Sequence, residues 1–257
     1  MESRKRSRAL DHYANDIPLS PKTIARIEGA LYLVIIFAGM FVQLFVRGKI
    51  YVVGDANATA ARLREFEMLW RAGVATELFT LLITICSTLL LYVLLRPVSR
   101  DLALLATFFG LIGIATETTY ALQLLEALFP LGKASYLAAF TPAQLHAMTM
   151  LRMRAHANGF AISLLVFGTA FLLRGHLIAR SGYFPKTVGV LYQIAGAAYM
   201  LNSFLIVLAP QRASMLIMLP AFIGEMTFCL WLLIRGVDIK GWNARVDASR
   251  AMQLASM

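Results

Sequence analysis

Three glutamates stand inside long apolar runs of this chain: Glu77 in "VATELFTLLI", Glu117 in "IGIATETTYAL" and Glu225 in "LPAFIGEMTF". An ionised carboxylate at mid-bilayer depth costs ~2.5–3.5 kcal/mol on insertion scales. Each acid must therefore carry a proton or share a cation, a hydrogen-bond donor or water. Groups held that way exchange protons, bind a polar ligand, ligate a metal or bridge helices as hydrogen-bonded carboxyls. Tyr120, His156, Asn158 and Asn202 are the polar companions in neighbouring runs, and histidine is the one poised nearest neutral pH. Glu77, Glu117, His156 and Glu225 also supply donor types that suit zinc, iron or manganese. Their spacing does not support a metal: there is no His-Glu-x-x-His or Glu-x-x-His, and His146 and His156 lie ten residues apart. Arg152 with His156, and Arg154 with Asn158, are i,i+4 neighbours suited to an anionic headgroup or to snorkelling.

The elements that position these residues follow from hydropathy. The chain has 257 residues, 59% of them hydrophobic, with a mean hydropathy of +0.69, too apolar for an ordinary soluble domain. Continuous apolar runs near 24–46, 72–95, 102–125, 155–173, 188–208 and 214–234 reach the roughly 20 helical residues that span a bilayer. They do not alternate as barrel strands do. The expected fold is an all-α polytopic membrane bundle of six transmembrane helices. A polar tail at 1–20 precedes a membrane domain at 21–240, and a second tail follows at 241–257. The first apolar run exceeds a signal-peptide core and should be retained as an anchor.

The net charge of +10 follows topology. With both termini cytoplasmic, fifteen basic residues fall inside and nine outside, as the positive-inside rule requires of a multi-pass protein of the cell membrane. Nucleic acid is not an expected partner; the lipid bilayer is, and "SRKRSR" suits anionic headgroups. Arg174 belongs to the inside set, and Glu28 reads as an interfacial ion pair with Arg26. Cys86 and Cys229 read as buried reduced thiols.

Finer features follow from local pattern. Gly110, Gly113, Glu117, Tyr120 and Leu124 share one helix face, so Glu117 should point into the bundle. Glu77, Thr80, Thr84, Ser87 and Thr88 form a second polar stripe. Pro220 should bend the sixth span just before Glu225. Thr141 and Pro142 read as the start of a helix too long for a simple span, which should bend, lie in the interface or break near Asn158-Gly159. "ATAARLREFEMLWRAG" suits an interfacial helix or the start of span two. A short echo links Gly29, Tyr32, Ile36, Gly39 and Gln43 to Gly189, Tyr192, Gly196, Tyr199 and Ser203 at the same offsets. No nucleotide loop, hydrolase elbow or haem motif is present, and the cofactor stays unassigned.

The segments "RIEGALYLVIIFAGMF" and "IGEMTFCLWLLIRGVD" resemble an uncharacterised bacterial family of integral membrane proteins, domain of unknown function 4386, over roughly residues 22–239. The resemblance implies six spans in a bacterial inner membrane and brings no catalytic residues. Three readings stay open. The first is a small-ligand or proton-coupled binding or transport protein, centred on Glu117 with Glu77, Glu225 and His156, its site in the outer half of the bilayer. The second is a membrane enzyme, metal-dependent or not, acting on a lipid or amphipathic substrate. The third is a structural or regulatory subunit. Substrate and oligomeric state are not legible.

Overall fold

The computed structural model describes residues 19–255; most of the polar tail expected at 1–20, with Arg4, Lys5, Arg6 and Arg8, lies outside the described residues. Helix α1 (Pro21–Met40) starts on a Ser20 cap that accepts from the Thr23 amide, with Pro21 in its first turn. It continues as a π-helical stretch, Phe41–Arg47, and a last α turn, Gly48–Ile50. Short α2 (Ala56–Glu65) is capped by Asp55, and the chain breaks at Phe66 before α3 (Glu67–Leu95). The segment read as either an interfacial helix or the start of a span divides at Phe66 into a short helix packed on the later Pro142–Arg180 helix and the start of a spanning-length helix. Next come α4 (Arg100–Glu126), α5 (Pro142–Arg180), α6 (Lys186–Leu208), α7 (Leu219–Ile234) and α8 (Ile239–Ala255). No strand occurs among the described residues.

Six helices are long and apolar enough to cross a membrane: Pro21–Ile50, Glu67–Leu95, Arg100–Leu131, Pro142–Arg180, Lys186–Leu208 and Leu216–Ile234. Their outward faces carry large exposed side chains such as Phe37, Phe45, Phe79, Leu82, Phe108 and Ile112. An apolar surface on all sides is untenable in water and expected in lipid. The chain is a multi-pass membrane protein.

Each spanning helix packs on the next in sequence, α1 on α3, α3 on α4, α4 on α5, α5 on α6 and α6 on α7; α7 returns to α1. The bundle is a closed ring. Its terminal side is where the described chain begins and ends, and its far side is the opposite end. One apolar cluster, including Leu94, Ile178, Tyr192, Phe228 and Leu232, fills the terminal side. A second, including Val46, Ile50, Leu63, Trp70 and Leu124, fills the far side. A close seam joins α5 and α6: a Cβ at Gly168 would stand 2.7 Å from the Gly196 carbonyl, and one at Gly175 2.7 Å from the Gly189 carbonyl. Only glycine lets two backbones approach this closely.

Three expectations change, for α5, Pro220 and Cys86. Helix α5 opens on a Thr141–Gln144 capping box, as its sequence suggests, but runs unbroken through Asn158-Gly159 to Arg180. Gly159 makes room for a neighbour instead of ending the helix, because a Cβ there would collide with the Tyr120 ring. Pro220 lies in the first turn of α7, after a 3₁₀ turn at Met215–Met218, so it starts the helix rather than kinking it. Cys86 is exposed on the outward face, while Cys229 is buried and donates to the Gly29 carbonyl at 3.3 Å. The segment after Trp242 belongs to α8, which is tied to the terminal side by Trp242 packing on Tyr183 and by Arg245 donating to the Val98 carbonyl.

Candidate functional site

Two polar layers lie inside the ring. In the far-side layer, Arg47 on the π-helical end of α1 donates to Glu77 Oε2 on α3. His156 on α5 meets Glu77 Oε1 through Nε2 at 2.7 Å. Arg47 Nη2 also approaches the same His156 nitrogen at 3.4 Å. The guanidinium is always charged, so Glu77 is its carboxylate counter-ion and the His156 Nε2–H donates to it. The Arg47–His156 approach is then a close contact of two donors around one acceptor. His156 is 2% exposed and Glu77 8%, so the pairing is largely removed from water.

Glu117 stands beside this triad. It lies near enough to interact electrostatically with Glu77 and Arg47, yet makes no hydrogen bond among the described residues. The helix face predicted for it is largely interior, with Glu117 itself half-buried. Gly110, Gly113 and Leu124 are buried, Gly113 packs on Phe167 of α5, and Tyr120 covers Gly159. Leu124 accepts a hydrogen bond from Trp70 through its carbonyl, at 2.9 Å.

The terminal-side layer lies ~15 Å away, judged from the ten residues between Glu77 and Ser87 on α3. Glu28 is fully buried and accepts from Ser87 Oγ at 2.7 Å. It is not the interfacial partner of Arg26, because it faces into the ring while Arg26 is exposed. Arg174, counted in sequence among the loop cations, is 6% exposed inside the bundle. Its guanidinium reaches over Gly110, where a Cβ would stand 2.7 Å from Nη2. Glu28 Oε2 and Arg174 Nη2 are both buried without a hydrogen-bond partner among the described residues, although the two groups interact electrostatically.

Hydroxyls and one more acid fill the space between the layers. Tyr199 on α6 donates to Glu225 on α7. The hydroxyls of Tyr32 and Tyr192, the tyrosines paired by the sequence echo, lie 3.2 Å apart. Phe171 stacks on Tyr192 with ring centroids 4.4 Å apart. Tyr199 interacts electrostatically with Glu117 on one side and with Tyr192 on the other, and Tyr192 does so with Glu28 and Arg174. Glu225 therefore belongs to this tyrosine set and not to the triad.

Of the other predicted residues, Asn158 is exposed on α5 and away from the interior. Asn202 is buried on α6 without a hydrogen bond among the described residues. Among the described residues no group of three His, Cys, Asp or Glu side chains is arranged to hold a metal. Glu77 and His156, the two candidate donors that the fold brings together, bond directly to each other with Arg47 against both. Sequence reasoning missed Arg47, Glu28, Arg174 and Tyr199 as interior groups. One signal existed: His156 and Arg174 are eighteen residues apart, five full turns, and so share a face of α5.

The signature of the family described as "Domain of unknown function (DUF4386)" matches residues 27–236, and the chain belongs to that family. An uncharacterised protein from the archaeon Archaeoglobus fulgidus is 30% identical over 146 residues, 57% of this chain and 72% of the relative. No solved structure matches.

Proposed function

We propose, for a member of a family that brings no assigned activity, that the ring is a proton-coupled binding or transport protein with Glu117 as its central proton acceptor. The observation that carries this reading is the contrast between Glu117 and its neighbours. Arg47, Glu77 and His156 satisfy one another, whereas Glu117 faces the interior with no hydrogen-bond partner among the described residues. An acid so placed is free to exchange a proton or receive a donor from a ligand. The triad supplies a fixed field beside it, with His156 able to relay a proton through Glu77. Tyr199–Glu225, Tyr32–Tyr192 and Ser87–Glu28 carry exchangeable hydroxyls and acids onward to the terminal side.

Topology enters the same proposal. Arg47 and Arg174 are interior groups and drop out of the loop charge count, one from each side, so the excess of cations stays with the terminal side. That supports cytoplasmic termini and, with them, a position for Glu117 in the outer half of a cell membrane.

The test is an infrared titration of purified protein, comparing wild type with Glu117→Gln. A carboxylic-acid band that titrates in the wild type and vanishes in the variant is expected, together with proton flux in proteoliposomes reduced at least tenfold. A titrating band unchanged by Glu117→Gln sinks the assignment. Elemental analysis of the same two samples addresses the metal-dependent enzyme reading: near-stoichiometric metal lost in the variant would put that reading ahead.

A further inference from the structure

On the far side, away from both polar layers, a cleft of about 550 Å³ opens between α2, the first turns of α3, the end of α4 and the loop that follows. Its cations come from three separate elements: Arg64 on α2, Arg71 on α3 and Lys133 in the loop. All three are exposed. Glu67 is the acid of the lining and is already paired with Arg71 at 2.9 Å, so the cleft keeps an excess of two positive charges. The rest of the wall is aliphatic and aromatic, including Leu122, Leu125 and Phe129. Leu122 and Phe129 are more than half exposed at 52% and 59%.

The geometry points to a binding site for one acidic phospholipid, its phosphate held by Arg64, Arg71 and Lys133 and an acyl chain lying along Leu122, Leu125 and Phe129. Charge and apolarity select this occupant together. A neutral lipid covers the leucines and leaves Arg64 and Lys133 without an acid in the lining to answer them; a free anion meets the cations and leaves the apolar wall in water. Arginine and lysine combined give forked and point-charge donors suited to a phosphate. A cation close to an anionic headgroup strengthens association by a factor of roughly five. This site does not depend on Glu117 carrying protons.

Trp70 reports on the cleft. It is buried in the far-side cluster with Leu63, and Leu125 and Leu128 pack against that cluster; all three leucines also line the cleft. The chain has three tryptophans, so Trp231→Phe with Trp242→Phe leaves Trp70 as the only one. This protein would be reconstituted with phospholipids brominated on the acyl chain, and quenching of Trp70 would be compared for phosphatidylglycerol and phosphatidylcholine. A preference of roughly 25-fold for the acidic lipid is expected, from two excess cations at about fivefold each. It should fall toward parity when Arg64, Arg71 and Lys133 are all replaced by Gln, and partway with Lys133→Gln alone, an exposed loop change that spares the helices. Equal quenching by the two lipids overturns the proposal, as does a preference that survives the triple replacement. Loss of the preference in excess inorganic phosphate would reassign the cations to a free anion and also overturn it.

Discussion

The two polar layers of the ring solve the burial of charge in opposite ways. On the far side, Arg47, Glu77 and His156 form a compact set in which the acid accepts from both partners. On the terminal side, Glu28 and Arg174 are at least as deeply buried, yet among the described residues each keeps an atom without a partner, and Ser87 alone ties Glu28 down. A satisfied buried set is rigid and costly to break; an orphaned pair gains little from its charges and leaves room for water, a proton or a ligand. Polarity in the membrane therefore has two meanings in this protein. The triad is a fixed element beside Glu117, and the Glu28–Arg174 layer is the adaptable one.

The largest expected effect comes from breaking the satisfied layer. Glu77→Ala leaves the Arg47 and His156 donors facing one another without their acceptor and should cost about 3–5 kcal/mol, the range for removing one partner of a buried ion pair. Thermal unfolding in mild detergent measures it. Replacing Arg47, Glu77 and His156 together with apolar residues of similar size should recover most of that loss. A single-variant loss well under ~1 kcal/mol would show that the triad is not a closed set.

The difference between the layers also explains what could be read from sequence. The six spans were legible because length and hydropathy suffice to specify them, and the interior position of Glu117 because Gly110, Gly113 and Leu124 mark its face. Arg47, Glu28 and Arg174 were not legible as interior groups. Each lies within about ten residues of a span end, where a charge normally marks the membrane boundary or snorkels. Their burial depends on how neighbouring helices close over them: the Gly110 gap for Arg174, Ser87 for Glu28, and the π-helical turn that ends in Arg47. A single run of sequence does not record those contacts. The same holds for α5, whose length argued for a bend, an interfacial stretch or a break: the helix is continuous, and Gly159 takes the Tyr120 ring instead of ending it.

Next in size are the seams that hold both layers in register. Gly189→Ala would place a Cβ 2.5 Å from the Ala179 amide nitrogen and 2.6 Å from the Gly175 carbonyl, both backbone atoms that cannot rotate away. Overpacking of this kind costs ~1–3 kcal/mol. Gly39→Ala has nothing within 4 Å to meet and should be close to neutral. Equal melting temperatures for the two variants would contradict the close α5–α6 approach.

A smaller effect, with the opposite sign to the triad, is expected from the orphaned layer. Arg174→Met keeps the stem and removes a buried charge that has an unsatisfied nitrogen. Made together with Glu28→Gln, so that the pair is neutralised as a unit, it should leave stability within ~1 kcal/mol of the wild type or raise it, as when a buried ion pair is replaced whole. A loss as large as that of Glu77→Ala would mean that Arg174 is as fully compensated as Arg47, and the contrast between the layers would fail.

The smallest effect isolates one contact. Gly110→Ala would bring a Cβ to 2.7 Å from Arg174 Nη2 and 3.4 Å from Thr88 Cγ2. The nearer atom is the end of a flexible side chain, so Arg174 can move aside at modest cost. Residues in contact couple by roughly 0.5–3 kcal/mol, and this pair belongs at the lower end because the guanidinium can swing. In the Arg174→Met background that part of the cost should disappear, since a methionine thioether adapts to an irregular gap. A double-mutant cycle on Gly110 and Arg174 that returns additive losses would place the guanidinium elsewhere. A coupling of the expected sign would place it over α4, seven residues from Glu117 along the same helix, between the fixed layer and the adaptable one.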